Sequence, residues 1–144
     1  MTRRPEDWVT GRFGIIKQTD MGSIKTHKDL KVYQLSFEAG MLIFDATKSF
    51  PKEERFSLTD QIRRSSRSVS GNLAEAWRKR RYEKAFITKL SDVEGEAAET
   101  QTWLDYAQAC DYIENEVHSE LFKKYDHILG MVVNMIIHPE KWTL

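Results

Sequence analysis

Residues 30–51, LKVYQLSFEAGMLIFDATKSFP, carry the pattern from which the architecture of this chain follows. Apolar side chains recur in it at steps of three and four, which is the period of an amphipathic helix. These side chains are Leu30, Tyr33, Phe37, Met41 and Phe44. Proline disfavours helical geometry in the residue before it, so Phe50 and Pro51 end the segment. We predict a first helix over about residues 28–49, followed by a loop at 51–54.

Three further segments show the same helical period. The second helix starts near Leu58 and has a narrow core stripe that is rich in small residues, the third ends near Cys110, and the fourth closes at His138 and Pro139. On the third helix Phe86 is expected in the core. No stretch shows sustained alternation of apolar and polar residues, so a sheet is not expected. Four long helices with short connections predict an all-α, antiparallel up-and-down four-helix bundle.

The chain length of 144 residues suits one domain. We place the bundle domain at residues 28–138 and a C-terminal tail at 139–144. Residues 1–27 contain Pro5 and three glycines without an apolar period, and we predict that they form a flexible N-terminal arm. Translation from Met1 and translation from Met21 both remain open, since Met21 leads directly into the first periodic segment.

The composition predicts a cytoplasmic protein. The 22 basic and 22 acidic residues give a net charge of zero, and no apolar run approaches the roughly 20 residues that a membrane helix needs. The single Cys110 cannot form an internal disulfide, as expected in a reducing compartment. We expect Cys110 to be a small buried residue near a helix end.

The motifs of common enzymes and metal sites are missing from the sequence. It has no Glu-x-x-His pair of the di-iron bundles, no Gly-x-Ser-x-Gly elbow and no phosphate-binding loop. Glu114 and His118 stand one helical turn apart, a spacing more often found in surface contacts than in ligand pairs. We therefore predict a protein that is not an enzyme and has no catalytic residues, metal site or cofactor.

The zero net charge conceals two segments of opposite sign. Residues 51–90 hold 11 basic and 5 acidic residues, whereas residues 91–120 hold 9 acidic and no basic residues. Separated charge of this kind indicates partners or assembly, because a basic surface attracts polyanions and also the acidic face of another copy.

The basic residues of the second helix form a stripe. At about 100° per residue, Arg64, Arg67 and Arg78 fall on one side of the helical wheel, away from the apolar stripe. Trp77 is expected at the edge of the bundle. Guanidinium groups one turn apart suit successive phosphates, and such contacts do not read bases. The candidate nucleic-acid-binding residues are Arg63, Arg64, Arg67, Arg78, Lys79, Arg80 and Arg81.

The stripe supports two interpretations that the sequence leaves equally open. In one, the arginines bind structured RNA or DNA. In the other, the protein is an interaction scaffold in which the arginines pair with the acidic third helix of a neighbouring subunit. Asp92, Glu96 and Glu99 follow one another there at steps of four and three and would be the acidic partners.

Six short segments resemble the bacterial four helix bundle protein family. They are DLKVYQ at 29–34, FPKEER at 50–55, LTDQIRRS at 58–65, VSGNLAEA at 69–76, Glu99-Thr100 and Trp103-Leu104. The family includes proteins encoded in intervening sequences of 23S rRNA genes and the accessory variability determinant proteins of diversity-generating retroelements.

The resemblance implies more than the residue pattern does. It implies a homo-oligomer, a homopentameric ring, with basic surfaces that bind nucleic acid and with no attributed enzymatic activity. In the retroelement branch it also implies a reverse transcriptase as partner.

Overall fold

The computed structural model describes residues 24–144. Its four α-helices are α1 (Lys31–Thr47), α2 (Leu58–Arg78), α3 (Glu83–Ala109) and α4 (Asn115–Ile137). Short 3-10 turns occupy His27–Asp29, Lys52–Glu54 and Pro139–Lys141. No strand occurs within residues 24–144, which confirms the all-α prediction for this part of the chain.

The first helix begins three residues later than the apolar period indicates. Thr26 caps the preceding 3-10 turn, where its Oγ1 accepts the N–H of Lys28 and the Asp29 carboxylate accepts the N–H of Thr26. This reciprocal capping box satisfies backbone donors that have no partner at a helix start. Residues 27–29 therefore form a separate turn, and α1 starts at Lys31.

Successive helices run antiparallel. Residues near the end of one helix contact residues near the start of the next, and the two sequence numbers change in opposite directions along each pair. The contacts that show this are Ser36 with Ser70 and Thr47 with Arg63 between α1 and α2, Thr100 with Ser65 and Lys89 with Glu75 between α2 and α3, and Gln101 with Asp126 and Asp105 with His118 between α3 and α4.

One apolar core lies between the four helices. Phe86 is buried in it, as predicted, together with Tyr125 of α4. Burial raises the pKa of the Tyr125 phenol. The prediction for Trp77 is wrong, because this side chain is 5% exposed and belongs to the core. The guanidinium of Arg80 stacks on its ring at 3.4 Å and helps to cover it.

The ends of the described chain contact the bundle. Ile24 and Trp142 pack against the core, and the N–H of Leu144 donates to the carbonyl of Arg80 at 3.1 Å. Residues 1–23, the larger part of the predicted arm, and both candidate start methionines lie outside the described residues. Across residues 24–144, every helix is too short or too polar to cross a bilayer.

Cys110 is exposed, which contradicts the prediction that it is buried. It follows the last residue of α3, and its N–H donates to the carbonyl of Tyr106. Asp111 then adopts a left-handed φ of 60°, so the chain turns away from the helix axis at this point. The apolar period of α3 ends before this turn. The thiol is therefore exposed, although buried residues lie only a few positions earlier in the sequence.

Candidate nucleic-acid interface

The loop before α2 is fixed by Glu54. Its carboxylate accepts hydrogen bonds from Ser57 Oγ at 2.6 Å and from Tyr112 Oη at 3.0 Å, across the turn between α3 and α4. Both hydrogen bonds lower the pKa of Glu54, and the bond from Ser57 has the larger effect. The same carboxylate raises the pKa of Tyr112 to about 12. The loop thus enters α2 at a defined place, which positions Arg55 and Phe56.

A surface groove of about 680 Å³ follows this entry along α2. We call it the basic groove, and it is lined by Arg55, Phe56, Thr59, Asp60, Arg63, Arg64, Arg67, Ser68 and Gly71. Four of its nine lining residues are arginines and one is an aspartate. The groove therefore presents positive charge on a concave surface, which concentrates field lines and favours anions.

Two of the groove arginines are held by α1. Arg63 donates from Nε to Thr47 Oγ1 at 2.8 Å, and its guanidinium lies 4.9 Å from the centre of the Phe44 ring. The Arg67 guanidinium lies 6.0 Å from the same ring. Burial lowers the pKa of Arg63, and the nearby charge of Arg67 lowers it further. Arginine remains charged despite such a shift, so the two cations repel each other and favour an anion between them.

Arg64 has a different environment although it lies on the same stripe. Its Nη2 lies 2.5 Å from Glu99 Oε1, and its Nη1 lies 3.7 Å from Glu96 Oε1. Trp103 Nε1 also donates to Glu99, at 3.2 Å. Within residues 24–144 neither Arg63 nor Arg67 has a carboxylate within ion-pair distance. Arg64 is thus largely neutralised within its own chain, whereas its two neighbours are not.

The remaining basic candidates surround the end of α2. Arg80 is partly buried on Trp77 and donates from Nε to the Trp77 carbonyl at 2.8 Å. Burial lowers its pKa. Its contacts give it a structural role at the end of the helix. The other three, Arg78, Lys79 and Arg81, are exposed, and we call them the C-terminal cluster of α2.

Sequence reasoning missed Arg55 and Phe56. Both precede α2, where the apolar period gives no orientation, and Phe56 is 86% exposed. Phe56 precedes Arg63 by seven residues and Arg67 by eleven, spacings that share one face within a helix. Ser57 is not helical, with φ −125° and ψ −103°, so the spacing alone does not fix the position of the ring.

Clusters of ionisable side chains outside the groove do not form a metal site in the described residues. His118 Nε2 lies 2.8 Å from Asp105 Oδ1 in a pair between α3 and α4, and the backbone N–H of His118 donates to the Glu114 carbonyl at 3.0 Å. Among the side chains of residues 24–144, no three His, Cys, Asp or Glu are grouped so that they could hold a metal ion.

The fold and the groove define a class of small all-helical bundle with a concentrated basic surface on one helix. Comparison with known families then identifies the chain. The family model of the 23S rRNA-intervening sequence proteins matches residues 28–134, and the chain belongs to this family.

A solved structure agrees with this assignment. The chain is similar, with 28% sequence identity and a TM-score of 0.66, to a protein of unknown function from the S23 ribosomal protein family of Bacteroides thetaiotaomicron. The match covers 73% of this chain and 97% of that protein. No curated protein sequence matches the chain.

Proposed function

We propose that this protein is a non-enzymatic scaffold that binds structured RNA or DNA through the phosphates. The observation that carries the proposal is the basic groove, in which Arg63 and Arg67 face one open surface without a carboxylate partner in the described part of the chain. Guanidinium groups bind phosphate oxygens in a bidentate manner and release condensed counterions when they do so.

The C-terminal cluster extends the same surface. Arg67 and Arg78 lie eleven residues apart on α2, which corresponds to about 16 Å along a helix. A single small anion cannot span that distance, whereas a nucleic acid backbone carries charges at short, regular intervals. Contacts at both places therefore favour a polynucleotide over a free phosphate or nucleotide.

The alternative function is a protein scaffold in which α2 pairs with the acidic α3 of a neighbouring subunit. The acidic residues that this pairing needs have partners within the chain. Glu96 and Glu99 contact Arg64, and Asp92 lies 3.4 Å from Lys89. These contacts favour nucleic-acid binding over pairing between subunits as the role of Arg63 and Arg67.

Fluorescence anisotropy of a labelled RNA hairpin tests the proposal. We expect the double variant Arg63→Glu with Arg67→Glu to bind about 100-fold more weakly, since each lost phosphate contact is worth at least about 1.4 kcal/mol. Thr102→Glu, which adds a negative charge at an exposed position of α3 away from the groove and the α1–α4 clefts, is the control and should leave the affinity almost unchanged. Unrelated hairpins should lose similar amounts, because phosphate contacts carry no base information.

Light scattering on the same variants separates the two functions. Loss of RNA binding with an unchanged molar mass supports the nucleic-acid interface. Dissociation of an oligomer by the double reversal, together with no RNA binding by the wild-type protein, would support pairing between subunits and contradict the proposal.

We extend the proposal to a homopentameric ring. Two clefts between α1 and α4, of about 360 and 370 Å³, combine apolar residues such as Leu35 and Leu42 with charged residues such as Glu120, which lines both, and we place the contact with another copy there. A molar mass about five times the chain mass of 16.9 kDa is expected. A monomeric mass at micromolar concentration would exclude the ring.

A reverse transcriptase is the protein partner that we propose for a retroelement role, on the strength of the resemblance to the retroelement accessory proteins. Copurification of a tagged chain with a reverse transcriptase encoded beside its gene would support this role. The presence of such an enzyme without any association would contradict it.

A further inference from the structure

Phe56 stands out among the exposed side chains of the described residues. Its ring is 86% exposed, and it forms part of the wall of the basic groove. The guanidinium of Arg55 lies 5.3 Å from the ring centre. A single exposed apolar side chain is ordinary on a protein surface, but an aromatic ring set among four arginines is less so.

The surroundings of Phe56 argue against burial by another copy of the same surface. A symmetric contact would bring the arginines of one groove against those of the other, and like charges repel each other at short range. Contact with the acidic α3 of a second copy would compete with the ion pairs of Arg64 and Lys89. A partner that is both anionic and aromatic meets neither obstacle.

A nucleic acid base has a flat π-face, and its phosphate is an anion. In a continuous duplex both faces of each base are covered by neighbouring bases, whereas a bulge or loop can present one free. Aromatic side chains beside cationic grooves bind such bases by stacking, with little dependence on sequence. Phe56 also lines a second cleft of about 490 Å³, together with Phe50 and Pro51, which leaves room beside the ring.

We propose that Phe56, Arg63 and Arg67 form a subsite for one unpaired nucleotide. The base stacks on Phe56 while Arg63 and Arg67 hold its phosphate, and the Asp60 carboxylate in the same groove is placed to accept a hydrogen bond from the base or sugar. This inference rests on the proposed function, and it adds that the preferred ligand is an RNA or DNA with an unstacked base rather than a perfect duplex.

A pair of labelled hairpins tests the subsite, one with a single-uridine bulge and one fully paired and otherwise identical. The wild-type protein should bind the bulged hairpin on the order of tenfold more tightly, as one stacked base contributes in other complexes. Phe56→Leu should reduce this preference to none, whereas reversal of Arg63 and Arg67 should weaken the binding of both hairpins. Phe56→Trp should restore it, because indole also stacks. Phenylalanine, leucine and tryptophan are all apolar, and position 56 is exposed outside the core, so neither substitution should disturb folding.

Photochemical crosslinking gives a second readout that affinity alone does not. A 5-iodouridine in the bulge should crosslink to the peptide that contains Phe56 when irradiated, and the crosslink should be lost in Phe56→Leu. The paired hairpin with the same base in its stem should give no such product.

The failure of this inference is distinguishable from the failure of the proposed function. Equal binding of both hairpins by the wild-type protein and by Phe56→Leu, with loss on reversal of Arg63 and Arg67, would overturn the subsite alone. No binding of either hairpin would overturn both. A fall in molar mass in Phe56→Leu would assign the ring to a contact between copies and overturn the subsite.

Discussion

The basic groove and the α2–α3 seam lie on neighbouring faces of α2 and use the same residue types in different ways. The seam consists of Arg64, Ser65, Glu96, Glu99 and Thr100, and it is joined across the two helices by the Arg64 ion pairs and the Thr100–Ser65 hydrogen bond. In the groove, Arg63 and Arg67 contact a hydroxyl and an aromatic ring, and no carboxylate of the described residues pairs with them. Charges that look equivalent in a sequence therefore differ in how available they are.

The largest expected effect is on stability, from a cavity beside the seam. Leu90 on α3 is fully buried, and Leu90→Ala should lower the free energy of unfolding by about 2–5 kcal/mol. Urea denaturation measures this change. Val133→Ala, at a site on α4 that is 37% exposed, should cost much less. Equal losses at the two sites would contradict the placement of the core.

A polar contact inside the seam should matter less. Thr100 is fully buried, and its Oγ1 donates to Ser65 Oγ at 2.8 Å. Thr100→Val keeps the shape of the side chain and removes the donor, so we expect a loss of about 1–2 kcal/mol in urea denaturation. The exposed Thr102→Val is the control. RNA affinity should not change, and a change would mean that the seam and the groove are coupled.

Removal of the Arg64 ion pair should affect stability least among the seam changes. The Arg64 side chain is 48% exposed, and exposed pairs contribute less than about 1 kcal/mol because solvent screens them. Arg64→Gln in the same denaturation experiment should therefore remain within that limit. A loss comparable to that of Leu90→Ala would show that the seam depends on its charges.

A small pH dependence of stability is expected from His27, near the end of α2. Burial lowers the pKa of His27, and the charges of Lys28 and Arg78 lower it further. The unfolded chain then binds more protons than the folded one as the pH falls below about 6.5. The free energy of unfolding should be highest above that pH and should decrease as the pH is lowered through it.

The comparison of His27→Gln with His127→Gln isolates this effect. His127 is exposed on α4. Only His27→Gln should reduce the loss of stability at low pH. A loss as large as that of the wild-type protein in both variants would show that other groups cause it. Glu54 and Glu75, whose pKa values are lowered, affect stability at lower pH.

The sequence predicted the helices well because their apolar period reports directly on burial. The first helix ends at Thr47, two residues before the predicted end and ahead of Pro51, and Phe86 is buried in the core. The helical wheel also placed Arg64 and Arg67 outside the core. The wheel shows which way a side chain points but not which residue of another helix lies beside it. It could therefore not show that Glu99 pairs with Arg64 in the same chain. Phe56 was missed because its position depends on the loop that Glu54 holds.

The central claim is that Arg67 is available to phosphates and that Arg64 is not. The salt dependence of RNA binding by wild type, Arg67→Gln and Arg64→Gln tests it most directly. We expect Arg67→Gln to reduce the slope of log affinity against log salt by about 1, the change for one lost phosphate contact, and Arg64→Gln to reduce it by much less. Equal reductions by the two variants, or no salt-dependent binding by the wild-type protein, would contradict the claim.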